Sequence, residues 1–315
     1  MSKKICILGS GGDAPGMNAC VESVYREGKK RGWTVVGCMS GYDGLVLERF
    51  VQLNDAAVTN IGSKTGCVLK AGRSEVFMTD EGLKRAIDNV KKHGFAAVIV
   101  LGGNGSLKGA WDRLHVNGVP VVGVPCTIDN DVFFTNNSLG FSSAAEESVR
   151  LVDNLNGTMM TNDRDHVVQL MGRNCEKLAD LVGVATFADI IDVEHDRHTA
   201  VQVATIFDQN RKRGQTSNIM IMQEKKSTDV ITEAMDTVKF QAELSNALGS
   251  SRIRMTTLGH LQRGAAPSAR DRWLGAMYGK KVVEQIEANQ LGVAVGLVGE
   301  YFIAHPIEKV GKNKR

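Results

Sequence analysis

Long apolar runs are missing from this 315-residue chain. No segment approaches the roughly 20 consecutive apolar residues that a membrane-spanning helix needs, so no membrane partner is expected. The N-terminal run MSKKICILGSGG has only residues 5–8 as an apolar stretch before its glycines, so no secretory leader is expected either. A dominant charge is also lacking. Lys and Arg number 38 against 35 Asp and Glu, a formal net charge of +3, which demands neither nucleic acid nor an anionic surface. The basic stretch 309–315 reads as a solvated tail. Cysteine pairs at metal or redox spacing are absent as well. Cys6, Cys20, Cys38, Cys67, Cys126 and Cys175 form no CxxC and read as reduced thiols in or near a core. The expected compartment is the cytoplasm. There is no low-complexity linker and no short repeat.

What is present is ordinary globular composition, 43% apolar and 23% charged, enough for a sizeable core. The length fits two compact domains or one large one. Short Val/Ile-rich runs at 5–8, 34–39, 96–101 and 119–124 read as buried strands. Helical spacing at 17–31 and 80–93 ends each time on a glycine, Gly32 and Gly94, a common stop signal. The pattern resumes after residue 140, with strands expected at 166–171, 189–193, 218–222, 254–258 and 292–298. Helices are expected at 142–156, 199–213, 234–247 and 268–288. This alternation predicts an α/β fold: two lobes with mostly parallel sheets and a cleft between them. Ligands of such sheets bind beyond the carboxyl ends of the strands.

Three strand exits carry candidate chemistry. The first is Gly9-Ser10-Gly11-Gly12-Asp13-Ala14-Pro15-Gly16, and the second is Gly102-Gly103-Asn104-Gly105-Ser106. Each is either a tight turn or a loop whose N–H groups cradle a phosphate at a helix N-terminus; neither has the spacing of a dinucleotide or Walker motif. Two such turns in one sheet favour a nucleotide site. The third exit, Thr127-Ile128-Asp129-Asn130-Asp131, is either an Asx-rich turn or a pair of working carboxylates. In the second case one takes a proton from an attacking hydroxyl and the other helps hold hydrated Mg²⁺. Arg73, Arg173, Arg254 and Arg263 lie beside glycines or strand ends and suit phosphate oxygens.

GGDAPGMNA (11–19), GGNGS (102–106), TIDND (127–131), MGR (171–173) and LGHLQRG (258–264) occur in that order over nearly the whole chain. Together they resemble the bacterial ATP-dependent 6-phosphofructokinases. The resemblance implies two Rossmann-like three-layer lobes and transfer of the ATP γ-phosphoryl group to the 1-hydroxyl of fructose 6-phosphate. It implies an ATP-binding lobe of residues 1–140 plus 254–303 and a sugar-phosphate lobe of 141–253 plus 304–315. Gly11, Arg73, Ser74, Gly103, Asn104, Gly105 and Ser106 would line the ATP site. Asp129 would be the base, with Thr127 and Arg173 bracing the transferred group. Ile128, Met171, Gly172, Glu224, His260, Leu261, Gln262 and Arg263 would contact the sugar phosphate. Arg164 and Arg254 would reach a neighbouring subunit's site, which implies a homotetramer. Asn104 and Asp131 would serve Mg²⁺. Gly105 and Cys126 stand where the pyrophosphate-using branch typically has Asp and Lys, which favours ATP as donor.

The chain departs from the family pattern in places. Asn104 replaces a usual Asp, so a hard cation is expected to be held less tightly. At the effector pocket only Arg26 is basic; Glu22, Asp55 and Asn156 stand where arginines are usual, which predicts a weak or lost response to anionic effectors. The 189–196 stretch and the Gly264-Ala265-Ala266-Pro267 turn also differ. Two other readings fit these residues: a regulatory paralogue that binds the same ligands beside an active subunit, and a kinase of another sugar phosphate.

Overall fold

The structure, a computed structural model, describes residues 2–172, 175–224, 230–249 and 252–310. In chain order the first stretch gives β1 (Lys4–Gly9), α1 (Met17–Lys30), β2 (Thr34–Cys38), α2 (Tyr42–Val46), β3 (Phe50–Gln52), α3 (Asp55–Val58), α4 (Asp80–Lys92) and β4 (Ala97–Gly102). Next come α5 (Asn104–Gly109), which continues as a π-helical turn over Ala110–His115, then β5 (Val121–Pro125) and α6 (Phe141–Asn162). The middle of the chain gives β6 (Asp165–Leu170), α7 (Lys177–Ala185), β7 (Ile190–Asp192), α8 (Ala200–Lys212), β8 (Ile219–Gln223), α9 (Val230–Ala247) and β9 (Ile253–Thr257). The last elements are α10 (Ala269–Glu287), β10 (Val293–Val298) and β11 (Tyr301–Pro306).

Two compact units result, Met1–Ser143 with Arg263–Arg315 and Ala144–Gln262. The first holds a seven-stranded sheet ordered β11-β10-β5-β4-β1-β2-β3. Its inner strands pair in parallel, while β3 and β11 close the two edges antiparallel. Helices cover both faces, which is why β1 and β4 read as continuous apolar runs. Cys6 and Leu8 of β1 join the core built with α2, α4 and α5, while Ile5 on the other face reaches the Gly28 side of α1. The second unit holds four parallel strands ordered β7-β8-β6-β9. Val203, Ala204 and Phe207 of α8, with Phe240 and Leu244 of α9, bury one face of that sheet.

The α/β class and the main strands follow the sequence reading; the unit boundaries do not. The return to the first unit was expected near 254, yet it falls at 262/263. The reason is that β9 pairs with β6 from Asp165↔Ile253 to Gln169↔Thr257, which keeps residues through 262 with the second sheet. The passage of 304–315 to the second lobe was expected; its residues 311–315 lie outside the described residues, and the part before them stays with the first sheet. β11 pairs with β10 along its whole length, so residues up to Pro306 belong to the first sheet, and Ile307 is in that unit's core. The helix expected at 142–156 runs further, over Phe141–Asn162.

Candidate active site

In the first unit β5, β4 and β1 are neighbours, so their carboxyl ends lie side by side. The two glycine turns meet there. Ser106 Oγ donates to Ser10 Oγ at 2.9 Å, and a side chain on Gly11 would lie 3.2 Å from Ser106 Oγ. Gly11 itself has φ +84°, a conformation that favours glycine, and its N–H is bound to the Gly72 carbonyl at 3.1 Å. The buried ring of Tyr42 fixes the second turn from behind, its hydroxyl donating to the Ser106 carbonyl at 2.7 Å.

The third exit packs against the second. Thr127 Cβ lies 3.4 Å from where a side chain on Gly103 would begin, and Asn104 Nδ2 donates to the Asp131 carbonyl at 3.4 Å. Thr127 Oγ1 accepts from the Asp129 N–H at 3.2 Å, a local turn in which Asp129 is half-buried just beyond the strand end. Asn130, at φ +51° and buried, makes the bend possible. Its side chain donates to the Asn136 carbonyl and accepts from the Ser138 N–H at 2.7 Å. Ile128 is 3% exposed, so its side chain belongs to the core and not to a ligand surface. Arg73 is exposed, whereas the Ser74 hydroxyl is taken up by the Asp43 carboxylate and the Phe77 N–H.

In the second unit Met171, Gly172, Glu224, His260, Leu261 and Gln262 all follow the carboxyl ends of β6, β8 and β9. Gly172, at φ +126°, would place any side chain 2.6 Å from the Cys175 carbonyl. Gln262 is fully buried; it accepts from the Met171 N–H at 2.9 Å and donates to Ser148 Oγ at 3.0 Å. Its side chain therefore shapes the site instead of lining it. His260 and Leu261 are exposed. Arg164 and Arg254 sit at the opposite end of this sheet, at the start of β6 and β9, where His166 pairs with Arg254. Arg173 lies outside the described residues.

Among the described residues no three His, Cys, Asp or Glu side chains are placed to hold a metal ion. The oxygen donors of Asp131 and Asn104 fit a hard cation whose other ligands are phosphate oxygens and water. Burial lifts Cys126 far above the usual thiol range and pushes Cys67 up to about 11, the latter partly opposed by the Leu69 N–H.

At the expected effector region, Glu22 accepts from Arg26 at 2.6 Å, from the Gly62 N–H at 2.9 Å and from the Asn60 N–H at 3.4 Å. Partial burial pushes its carboxyl up, but these donors outweigh that and leave it below the usual value. Glu22 and Arg26 line a groove of about 290 Å³ along α1. Asp55 is held by Lys29 at 2.6 Å and by the Tyr25 hydroxyl at 3.1 Å.

Sequence reasoning passed over Ser10, Asp43 and Tyr42. Ser10 lies inside the first glycine run and could have been found there; Asp43 and Tyr42 show their role only through contacts with residues distant in sequence.

Comparison with known proteins shows the family. The sequence pattern of the family described as "Phosphofructokinase" matches residues 4–286. A curated ATP-dependent 6-phosphofructokinase of Streptococcus uberis is 38% identical over 306 residues, 97% of this chain and 88% of the relative. One from Streptococcus sanguinis is 36% identical over 305 residues, with the same coverage. Phosphofructokinase from Saccharomyces cerevisiae superposes with a TM-score of 0.88 at 29% identity, covering 99% of this chain. The match spans only 45% of that yeast chain. With its motifs on the strand exits and the pattern matched from β1 to α10, the chain belongs to the phosphofructokinase family.

Proposed function

We propose that the chain is an ATP-dependent 6-phosphofructokinase, converting fructose 6-phosphate to fructose 1,6-bisphosphate in the cytoplasm. The observation that carries this reading is the meeting of both glycine turns with the Thr127–Asp131 run at three adjacent strand ends. ATP phosphates lie along Gly11, Gly103, Asn104, Gly105 and Ser106, with Arg73 and Ser74 beside the nucleotide. Asp129 removes the proton from the sugar 1-hydroxyl as that oxygen attacks the γ-phosphorus. Thr127 and Arg173 brace the transferred group, Arg173 by motif alone. Met171, Gly172, Glu224, His260 and Arg263 hold the sugar phosphate, and Gln262 positions Met171. Asp131 and Asn104 would hold Mg²⁺, which neutralises charge on the phosphates. Positioning and charge neutralisation supply most of the catalysis of phosphoryl transfer.

ATP is preferred over pyrophosphate because the position of Gly105 is open, with nothing within 4 Å of an added side chain, and Cys126 is buried. Glu22 fills the anion-binding donors of its region with its own carboxylate, so anionic effectors have little to bind. A regulatory paralogue remains the second reading, favoured by the charge lost at Asn104. A coupled assay of the pure protein with ATP or pyrophosphate and several sugar phosphates separates these readings. Asp129→Ala is expected to lower turnover roughly 10²–10⁴-fold; unchanged turnover overturns the assignment of the base.

A further inference from the structure

β8 reads Ile219-Met220-Ile221-Met222-Gln223 and is buried along its whole length. Apolar residues are what a buried parallel strand calls for; the amide at its end is not. Gln223 is 0% exposed, and a buried amide is costly unless it is hydrogen-bonded. Its partners lie at the neighbouring strand exits. Nε2 donates to the Gly172 carbonyl beyond β6, and Oε1 accepts from the Glu194 N–H beyond β7 at 3.0 Å. The Gln223 main-chain carbonyl accepts from Arg197 Nη1 at 3.1 Å. Arg197 is held in turn by the buried Asp192 carboxylate at 2.8 Å, which also accepts from the His198 N–H at 2.6 Å. The chain after β7, in and just past the stretch that departs from the family pattern, is therefore fastened to Gln223 at two points. Gly172 is where such a hold matters. It has no side chain to restrict its backbone, which sits at φ +126°. Its carbonyl accepts from the Cys175 N–H at 3.0 Å and from Gln223, so both lone pairs are taken and the orientation of that peptide is fixed. Gln223 also directly precedes Glu224, whose N–H donates to the Leu170 carbonyl at 2.8 Å.

We propose that Gln223 is a positioning residue for sugar-phosphate recognition: its amide sets the Gly172 backbone, and the chain after β7 sets the amide. This rests on the reading above that Met171, Gly172 and Glu224 hold the sugar phosphate. Gln223 is fully buried and acts through them.

The test compares Gln223→Leu and Gln223→Glu with the wild type, read as turnover, half-saturating fructose 6-phosphate, half-saturating ATP and melting curves. Gln223→Leu, which lacks the amide, should raise half-saturating fructose 6-phosphate roughly fivefold, the worth of one hydrogen bond, and leave that for ATP unchanged. Gln223→Glu should do the same near pH 8, where a carboxylate faces the Gly172 carbonyl, and recover toward the wild type near pH 6. Burial raises the pKa of a carboxyl, so the group protonates as pH falls, and its O–H then donates to Gly172 as the amide does. Cys175, Asp192, Glu194, Arg197, His198 and Glu224 lie about this position in both proteins, so the ratio of variant to wild type at each pH isolates the new carboxyl. A merely structural role lowers the melting temperature without moving half-saturating fructose 6-phosphate, and that result overturns the proposal. So does a parallel rise for ATP, or a Gln223→Glu ratio that ignores pH. Should neither variant fold, Arg197→Ala decides: by loosening the hold on Gln223 it should raise half-saturating fructose 6-phosphate, and an unchanged value overturns the proposal. A wild-type protein that neither turns over nor binds fructose 6-phosphate overturns the functional reading together with this one. An active wild type with unaltered variants removes only the role of Gln223.

Discussion

Asn104 keeps the shape of a carboxylate and loses its charge. Its amide hydrogen goes to the Asp131 carbonyl, so the side chain braces the loop that carries Asp131, the acidic residue we propose for Mg²⁺. Restoring the charge by Asn104→Asp should strengthen magnesium binding. One extra unit charge near 4 Å is worth at least ~1 kcal/mol, so the half-saturating Mg²⁺ concentration should drop about fivefold or more. Titration of activity against Mg²⁺ at fixed ATP checks this, and an unchanged curve refutes it. Legibility also differs residue by residue. Asp129 stood out in the sequence as a carboxylate at a strand exit. Gln262 and Ile128 sit inside family motifs as well, but only their burial separates a residue that shapes the site from one that lines it.

At the scale of elements, helix packing explains several glycines that motif reading ignores. In α10 a methyl group on Gly279 would lie 2.6 Å from Ser23 Cβ and 2.8 Å from the Cys20 carbonyl, so α1 and α10 touch backbone to backbone there. Gly279→Ala should destabilise the fold by about 1–3 kcal/mol through overpacking. Gly157, in the exposed middle of α6, has nothing within 4 Å of an added side chain, so Gly157→Ala should stabilise by up to ~1 kcal/mol. Urea unfolding of the two variants should therefore give opposite signs.

In β6, burial and then Arg254 hold the His166 ring below the usual histidine value, and its Nε2 lies 2.8 Å from Thr256 Oγ1. The unfolded chain then binds the extra proton more readily. Stability from this group is full above about pH 6.5 and is lost as pH falls through the folded value. Melting temperatures should fall on acidification below pH 6.5, and the slope should be shallower in His166→Gln. The elements the sequence left out were β3, β11, α2, α3, α5 and α7. β3 and β11 are edge strands with exposed residues such as Tyr301 and Ile303, so they lack the continuous apolar run that marked the inner strands. α5 begins inside a glycine-rich turn whose composition reads as loop.

For the whole molecule, the placement of the arginines bears on assembly. Arg164 and Arg254 are exposed at the amino end of the second sheet, whereas Met171, Glu224 and His260 follow its carboxyl end. We propose that another copy of the chain completes a sugar-phosphate site that uses both groups. Sedimentation should show a tetramer. Arg254→Ala and Asp129→Ala, each poorly active alone, should regain activity when dissociated and reassembled together, because some shared sites then carry both native residues. No recovery in the mixed assembly counts against the shared site. Neither a nucleoside diphosphate nor phosphoenolpyruvate should shift half-saturating fructose 6-phosphate, since Glu22 already occupies the donors of its region. A saturable shift by either refutes that.

The sequence by itself determined the α/β class, the inner strands and the exits that carry Gly11, Gly103 and Asp129. Periodicity, turn residues and motif order are local properties, and each is written in contiguous residues. Tertiary structure alone decided the unit boundaries, because strand pairing placed β9 with the second sheet and β11 with the first. It also decided the contacts on which the site rests: Ser10 with Ser106, and Asn104 with Asp131. Those partners are far apart along the chain, and packing, not local preference, sets which of them meet.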